Sequence, residues 1–173
     1  MNKKDKIVNI LLEGGVVVMP TDTVFGVFTK VGNEAGVKKI YDIKKRPAGK
    51  PLPILISSLK WVWRWVEYDK MIDEACGKSW PGAVTFILKT LNGNTVGLRM
   101  PDLPDLLEII DRTGPLYATS ANISGGKAPV SLDEIPGSIK NSVDLSADFQ
   151  KPLSGKPSKI IDLSGGKEKV LRK

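Results

Sequence analysis

Short apolar runs rich in β-branched residues alternate with stretches of helical periodicity along this chain, and that alternation limits it to helices and strands mixed around one sheet. Ile7, Val8, Ile10 and Leu11 share a helical face that ends at Gly14-Gly15. Residues 16–19 read as a buried strand closed by Pro20, and residues 24–28 as a second. Asn33 is expected to cap a helix over 34–44, whose apolar face holds Val37, Ile40 and Tyr41. A strand over 52–56 follows, in which Pro53 is tolerable only at the start or on an edge. A helix from Ser58 carries Trp61, Val62 and Trp65, and a short one over 71–76 ends at Gly77.

Further strands are expected over 84–88, 96–100 and 116–118, with a helix over 104–112. A long loop rich in Gly, Ser and Pro comes next, before short strands at 143–145, 159–163 and 170–171. The 173 residues suffice for one well-buried domain over 1–173 and are too few for two ordinary ones. No repeat of fixed period and no long linker divides them.

Composition narrows the chemistry. The chain has no histidine and one cysteine, Cys76. Ser-His-Asp and Cys-His catalysis, imidazole metal sites, internal disulfides and multi-cysteine zinc sites are all excluded. The formal net charge of +7 suits an anionic partner, either a phosphorylated ligand or a nucleic acid, and equally suits a merely soluble surface. No apolar run approaches the roughly 20 residues that cross a bilayer. The lysine-rich start leads into an amphipathic helix, not a signal peptide, so a cytoplasmic location without membrane contact is expected.

Three polar loop clusters are expected just after buried strands, where a rigid scaffold holds ligands. Thr21, Asp22 and Thr23 in PTDTVFG can bond the amine or hydroxyl of a small ligand, or can serve only the local turn. Lys44, Arg46 and Lys50 in KKRPAGKP combine point charges with a rigid fork, which suits a polyphosphate; a solvated helix end is the alternative. Residues 118–127, ATSANISGGK, can bring backbone N–H groups close to a phosphate, or form an ordinary surface loop. Gly77-Lys78-Ser79 imitates the end of a P-loop, but Ile72 stands where its first glycine must be. Trp61, Trp63, Trp65 and Trp80 read as packing residues, not as a platform for stacking bases.

Taken in order, PTDTVFG, KKRPAGKPL, WPGAVT, VGLRMP and TSANISGG resemble the YrdC/Sua5/TsaC family of threonylcarbamoyl-AMP synthases from about Gly15 to Arg172. Each motif is weak alone, and five at compatible separations are specific. The chain resembles the short form, without the extra C-terminal domain of longer members. The resemblance implies an α/β fold, a single-domain open twisted mixed sheet with flanking helices of the YrdC-like and DHBP-synthase-like type, and a basic concave face. It implies a reaction of L-threonine, bicarbonate and ATP that yields L-threonylcarbamoyladenylate and pyrophosphate. That product feeds t6A modification of tRNA through a threonylcarbamoyl transferase complex of the TsaD/Kae1 type.

Carried onto this chain, the resemblance assigns catalysis to Lys44, Arg46, Ser120 and Asn122. It assigns ATP to Arg46, Lys50, Thr95, Ser120 and Arg172, and threonine to Thr23, Arg99, the backbone of Ala118, and Ser158. The chain departs from the family pattern in several places. Phe25 replaces a common tyrosine, Leu55 a histidine of longer members, Ala83-Val84 a common Pro-Leu, and Lys159 a threonine or valine. Arg172 stands one residue from the last, where chain ends fray.

The implied chemistry fits a chain without histidine. Threonine's amine and bicarbonate form a carbamate whose oxygen is already anionic when it attacks the α-phosphorus, so no general base is needed there. The protein must align two anions and stabilise the departing pyrophosphate, tasks for Lys44, Arg46 and Lys50. Mg²⁺ is expected to travel with the triphosphate, with Asp22 the one carboxylate near enough to assist. Thr23 and Ser158 would read threonine's hydroxyl, and Arg99 its carboxylate through a bidentate pair. The alternatives are a double-stranded RNA or tRNA-binding module without turnover, a carbamoyl-transfer relative of hydrogenase-maturation proteins, and a scaffold without a ligand. The common requirement is one cationic pocket that brings Lys44 and Arg46 beside Ser120 and Asn122.

Overall fold

The computed structural model describes residues 2–173. Its helices are α1 (Lys3–Leu12), α2 (Glu34–Lys44), α3 (Lys70–Ser79), α4 (Pro104–Thr113) and the short α5 (Gly137–Lys140). The strands are β1 (Val17–Pro20), β2 (Phe25–Lys30), β3 (Ile54–Leu55), β4 (Val84–Lys89), β5 (Thr95–Arg99), β6 (Leu116–Ser120), β7 (Leu145–Ser146), β8 (Lys159–Asp162) and β9 (Lys169–Arg172). Among the described residues all nine join one sheet in the order β7-β1-β2-β6-β3-β5-β4-β8-β9. Pairs β1–β7, β3–β5 and β4–β8 are parallel and the others antiparallel, so the sheet is open and mixed.

Strand periodicity assigns each face. Val17 and Met19 of β1, Phe28 of β2 and Leu116 of β6 pack with α1 and α4, through Ile7, Leu11, Leu106 and Ile110. Their neighbours Val16, Val18, Phe25 and Val27 face the other way, against Ile40 of α2 and Ile139 of α5. In the second half of the sheet Ile54, Phe86, Leu98 and Ile161 pack under α3 and the tryptophan segment, with Ile72, Cys76, Trp80 and Val62. Each half is therefore covered by helices, but the second half only on its far face. The near face of β3, β5, β4 and β8, beside α1 and α4, is left without a helix. That is where the cavity forms.

Asn33 does cap α2, accepting from the Gly36 N–H at 3.0 Å. Its amide also donates to the Gly14 carbonyl at 2.6 Å and to the Thr29 hydroxyl at 2.8 Å, which ties α2 to β2 and to the end of α1. Asn33→Ala removes the cap and both ties, so an equilibrium denaturant titration should show a loss of about 1–2 kcal/mol. A change below about 0.3 kcal/mol would show that water replaces these bonds without loss.

Several boundaries differ from the periodicity. Gly77 lies inside α3, which runs on to Ser79 before Pro81. Ile72 and Cys76 hold its inner face in the core, and packing outweighs the roughly 1 kcal/mol penalty of a helical glycine. The segment after Ser58 is a 3₁₀ helix, Leu59–Arg64, and Ser58 gives it no side-chain cap. Its tryptophans do serve packing: Trp61 and Trp65 stack with centroids 6.1 Å apart, and Trp80 meets Phe86 at 5.3 Å. β3 is shorter than expected and starts just after Pro53, where a missing N–H ends regular pairing. Pro20 belongs to β1, opposite Phe25, at the strand's end. The helix α5 inside the long loop escaped the sequence reading because it is four residues long, with Ile139 as its one buried residue. Other strand and helix ends shift by one or two residues.

Candidate active site

The uncovered face holds a cavity of about 570 Å³, walled by loops from separated parts of the chain. Thr85, Ile87, Gly97 and Ile160 form the floor, each one residue out of phase with the core-facing Phe86, Leu98 and Ile161. Arg46, Lys50, Arg99 and Arg172 supply four cations to the wall, and among the described residues no carboxylate lines it. A concave, cationic, low-dielectric wall of this kind concentrates an anion's field.

The Pro20–Phe25 turn forms one side. Thr21 closes it locally: its hydroxyl donates to the Val24 carbonyl at 2.8 Å and accepts from the Thr23 and Val24 N–H groups. The Thr23 hydroxyl is held 2.8 Å from that of Thr21 and accepts from Arg99 Nη1 at 3.1 Å. Thr21 thus serves the turn, while Thr23 also reaches the cavity wall. Arg99 Nη2 pairs with Asp22 at 2.6 Å, and its Nε donates to the Gly82 carbonyl at 2.9 Å. Burial pulls the Arg99 guanidinium below its ordinary pKa, and Asp22 opposes that shift. One N–H on each terminal nitrogen stays uncommitted, which leaves Arg99 able to meet a carboxylate end-on. Asp22 is thereby spent on Arg99 and is not free to assist a metal.

The second cluster follows α2 and not a strand, and its cations divide. Lys44 lies on the buried α2 face with Gly36 and Ile40, and is 1% exposed. Its ammonium donates to the carbonyls of Ser120 and Asn122, and its own carbonyl accepts from the Ser124 N–H. Burial, then the neighbouring Arg46, lower its pKa to about 8. Lys44 therefore staples the 120–124 segment from behind and does not line the cavity, contrary to its expected role against phosphate. Lys45 takes a left-handed backbone, φ 50°, and turns the chain so that Arg46 comes out on the cavity side. Arg46 donates through Nε and Nη2 to the carbonyls of Lys50 and Pro51, both at 2.9 Å, and lies 5.9 Å from the Tyr41 ring centroid. Its Nη1 group remains available to a ligand.

Ser120 and Asn122 meet this pair as required. The Ser120 hydroxyl donates to the Asn122 side-chain oxygen. The Asn122 amide in turn donates to the Ile123 and Gly126 carbonyls at 2.9 and 2.7 Å, which closes the glycine-rich loop. Both residues line the cavity, but the Asn122 amide is committed to loop shape.

On the far side the Ser158 hydroxyl shares a 2.8 Å bond with Thr85 and accepts from Arg172 at 3.2 Å. Arg172 also donates through Nε to the Ser158 carbonyl at 2.8 Å, so β9 pairing holds it in place where fraying was expected. Burial, and after it Arg99, lower the Arg172 pKa. Thr95 is exposed on the rim, while Ala118 is buried in the wall with Pro53 opposite. Leu55, which departs from the family pattern, is buried and presents an apolar side chain to the same cavity.

All the expected site residues except Lys44 line this one cavity. The sequence reading missed Asp22 as the partner of Arg99, and Thr85, Gly97 and Pro53 as wall residues. Strand parity in β4 and β5 could have revealed Thr85 and Gly97. The Asp22–Arg99 contact spans 77 positions and leaves no local signal.

Comparison with known proteins agrees with this geometry. The Sua5/YciO/YrdC family, described as "Telomere recombination", matches residues 9–173. A putative threonylcarbamoyl-AMP synthase of Methanocaldococcus jannaschii is 34% identical over 164 residues, covering 91% of this chain and 78% of that protein. The Pyrococcus abyssi Sua5 structure complexed with L-threonine superposes with a TM-score of 0.91 at 29% identity, covering 98% of this chain and 53% of that one. The chain thus spans about half of the Pyrococcus protein. Escherichia coli YciO superposes with a TM-score of 0.88 at 25% identity, covering 98% of this chain and 88% of its own.

Proposed function

Because the chain belongs to the Sua5/YciO/YrdC family, we propose that it is a nucleotidyltransferase that joins L-threonine, bicarbonate and ATP into L-threonylcarbamoyladenylate and pyrophosphate. One observation carries the reading: a single cavity sets four cations beside a cluster of hydroxyls, with no carboxylate among its described lining residues. Cations alone would suit any anion. The added hydroxyls of Thr23, Thr85 and Ser158 suit a ligand that is both anionic and hydroxylated.

In this reading Arg99 receives the threonine carboxylate, and Thr23, held by Arg99, bonds the same ligand. Threonine's amine condenses with bicarbonate, releasing water, and the carbamate oxygen attacks the α-phosphorus as the bond to pyrophosphate breaks. Arg46, Lys50 and Arg172 stabilise the triphosphate and the charge developing on the leaving group. Ser120 bonds the nucleotide from a position that Lys44 and Asn122 hold. Among the described residues no group of three or more His, Cys, Asp or Glu side chains is placed to hold a metal ion. Mg²⁺ therefore fits as a companion of the triphosphate, bound by phosphate oxygens and water, and neutralises charge there. No helix among the described residues is long and apolar enough to cross a membrane. The proposal places the enzyme in the cytoplasm and passes its product to a threonylcarbamoyl transferase for t6A formation.

The test uses the pure protein with ATP, Mg²⁺, threonine and labelled bicarbonate. A labelled threonylcarbamoyladenylate is expected by mass spectrometry, with equimolar pyrophosphate. Turnover undiminished by omission of bicarbonate, or equal with serine in place of threonine, would refute the proposal.

A further inference from the structure

The wall between β3 and β6 carries an unusual gap in backbone pairing. The antiparallel register sets Ile54 opposite Tyr117 and Leu55 opposite Leu116. Continued by one residue, it sets Pro53 opposite Ala118, and the Ala118 N–H indeed donates to the Pro53 carbonyl at 2.9 Å. In such a pair each residue returns the other's bond. Pro53 has no N–H and cannot return it. The N–H and C=O of a strand residue point to the same side, so the Ala118 carbonyl faces β3 and not β2. The β2 partner of Ala118, Phe28, is accordingly in the other type of pair. Pro53 and Ala118 both line the cavity, next to Gly97, where an added Cβ would lie 3.4 Å from the Pro53 Cβ.

We propose that Pro53 is a positioning residue: by withholding an N–H from the Ala118 carbonyl, it keeps a backbone acceptor in the cavity wall for the N–H of the bound amino acid. The inference rests on the proposed reading of the site as an amino-acid site, and it adds the device that creates the acceptor. An acceptor fixed in a sheet suits this task. It cannot rotate away, it carries no charge to repel the carbamate, and it selects a donor at one place on the ligand. A proline at the start of a short strand is also commonplace as a terminator. The two roles differ in what happens when an N–H is restored.

Pro53→Ala supplies that N–H in register to close the pair with Ala118. Three measurements on the full chain decide the matter: the melting temperature, amide exchange at position 53, and calorimetric titration with threonine and, separately, with ATP. The expected result is a protected new amide and a melting temperature at or above that of the parent protein. Threonine affinity should fall about tenfold, with ATP affinity unchanged within twofold. Semisynthetic Pro53→N-methylalanine, which lacks the N–H but also lacks the ring, should restore threonine affinity. A protected amide with undiminished threonine affinity overturns the proposal, as does an unprotected amide. Parallel losses of threonine affinity, ATP affinity and melting temperature would reduce Pro53 to a structural residue and also overturn it. A parent protein that binds threonine but forms no adenylate would sink the proposed reaction alone. One that does not bind threonine would sink both.

Discussion

Asp22→Asn should lower folding stability by about 3 kcal/mol, because it leaves the Arg99 guanidinium buried without its counter-charge. Arg99 is 5% exposed and its 2.6 Å bond to Asp22 is its one ion pair among the described residues. The expected loss sits at the lower end of the usual range for breaking a buried pair. Two reasons support that choice: the Gly82 carbonyl and Thr23 hydroxyl still accept from Arg99, and the cavity admits water to it. The same change should weaken threonine binding, since Arg99 and Thr23 are held as one unit with Asp22. Urea titration reads the first effect as a lowered midpoint at constant slope. An unchanged midpoint would mean that solvent in the cavity already screens Arg99, and the account of this pair would be wrong.

Arg46→Ala should remove at least about 2 kcal/mol of transition-state stabilisation, or roughly thirtyfold in kcat/KM for ATP, while the fold stays intact. The separation of the two effects follows from its surroundings. Its protein partners are carbonyls of the exposed Lys50 and Pro51, and its ring contact is with the partly exposed Tyr41. Nothing in the core depends on it. Steady-state pyrophosphate release, with circular dichroism as a check on folding, measures both. A folded variant with undiminished pyrophosphate release would remove Arg46 from the mechanism. Lysine at the same position should recover only part of the loss, because a point charge cannot hold the two loop carbonyls and a phosphate together as the planar fork does.

Much of the frame was legible because it is local. The Asn33 cap, the helix over Pro104–Thr113 and the alternation in Val84–Lys89 depend on neighbours within one turn or one strand. Pro53's place at the start of β3 follows from its missing N–H alone. The extent of α3 was not legible, because a glycine's penalty was weighed without the core contacts of Ile72 and Cys76 that exceed it. The burial of Lys44 could have been read from its i+4 spacing after Ile40, but its positive charge argued for the surface. Its burial is tolerated only because two backbone carbonyls from another segment receive the ammonium.

The sequence by itself determined which groups were available: no imidazole, many cations, and hydroxyls in turns beside apolar strands. It also determined where helices and strands arise, since those follow from side-chain period and backbone stereochemistry within a few residues. Which cation meets the ligand was decided only in three dimensions. A left-handed Lys45 separates a buried Lys44 from a cavity-facing Arg46, and sheet order brings Asp22 to Arg99. Such contacts depend on crossing chains whose separation in sequence carries no periodic trace, so only the packed structure can select them.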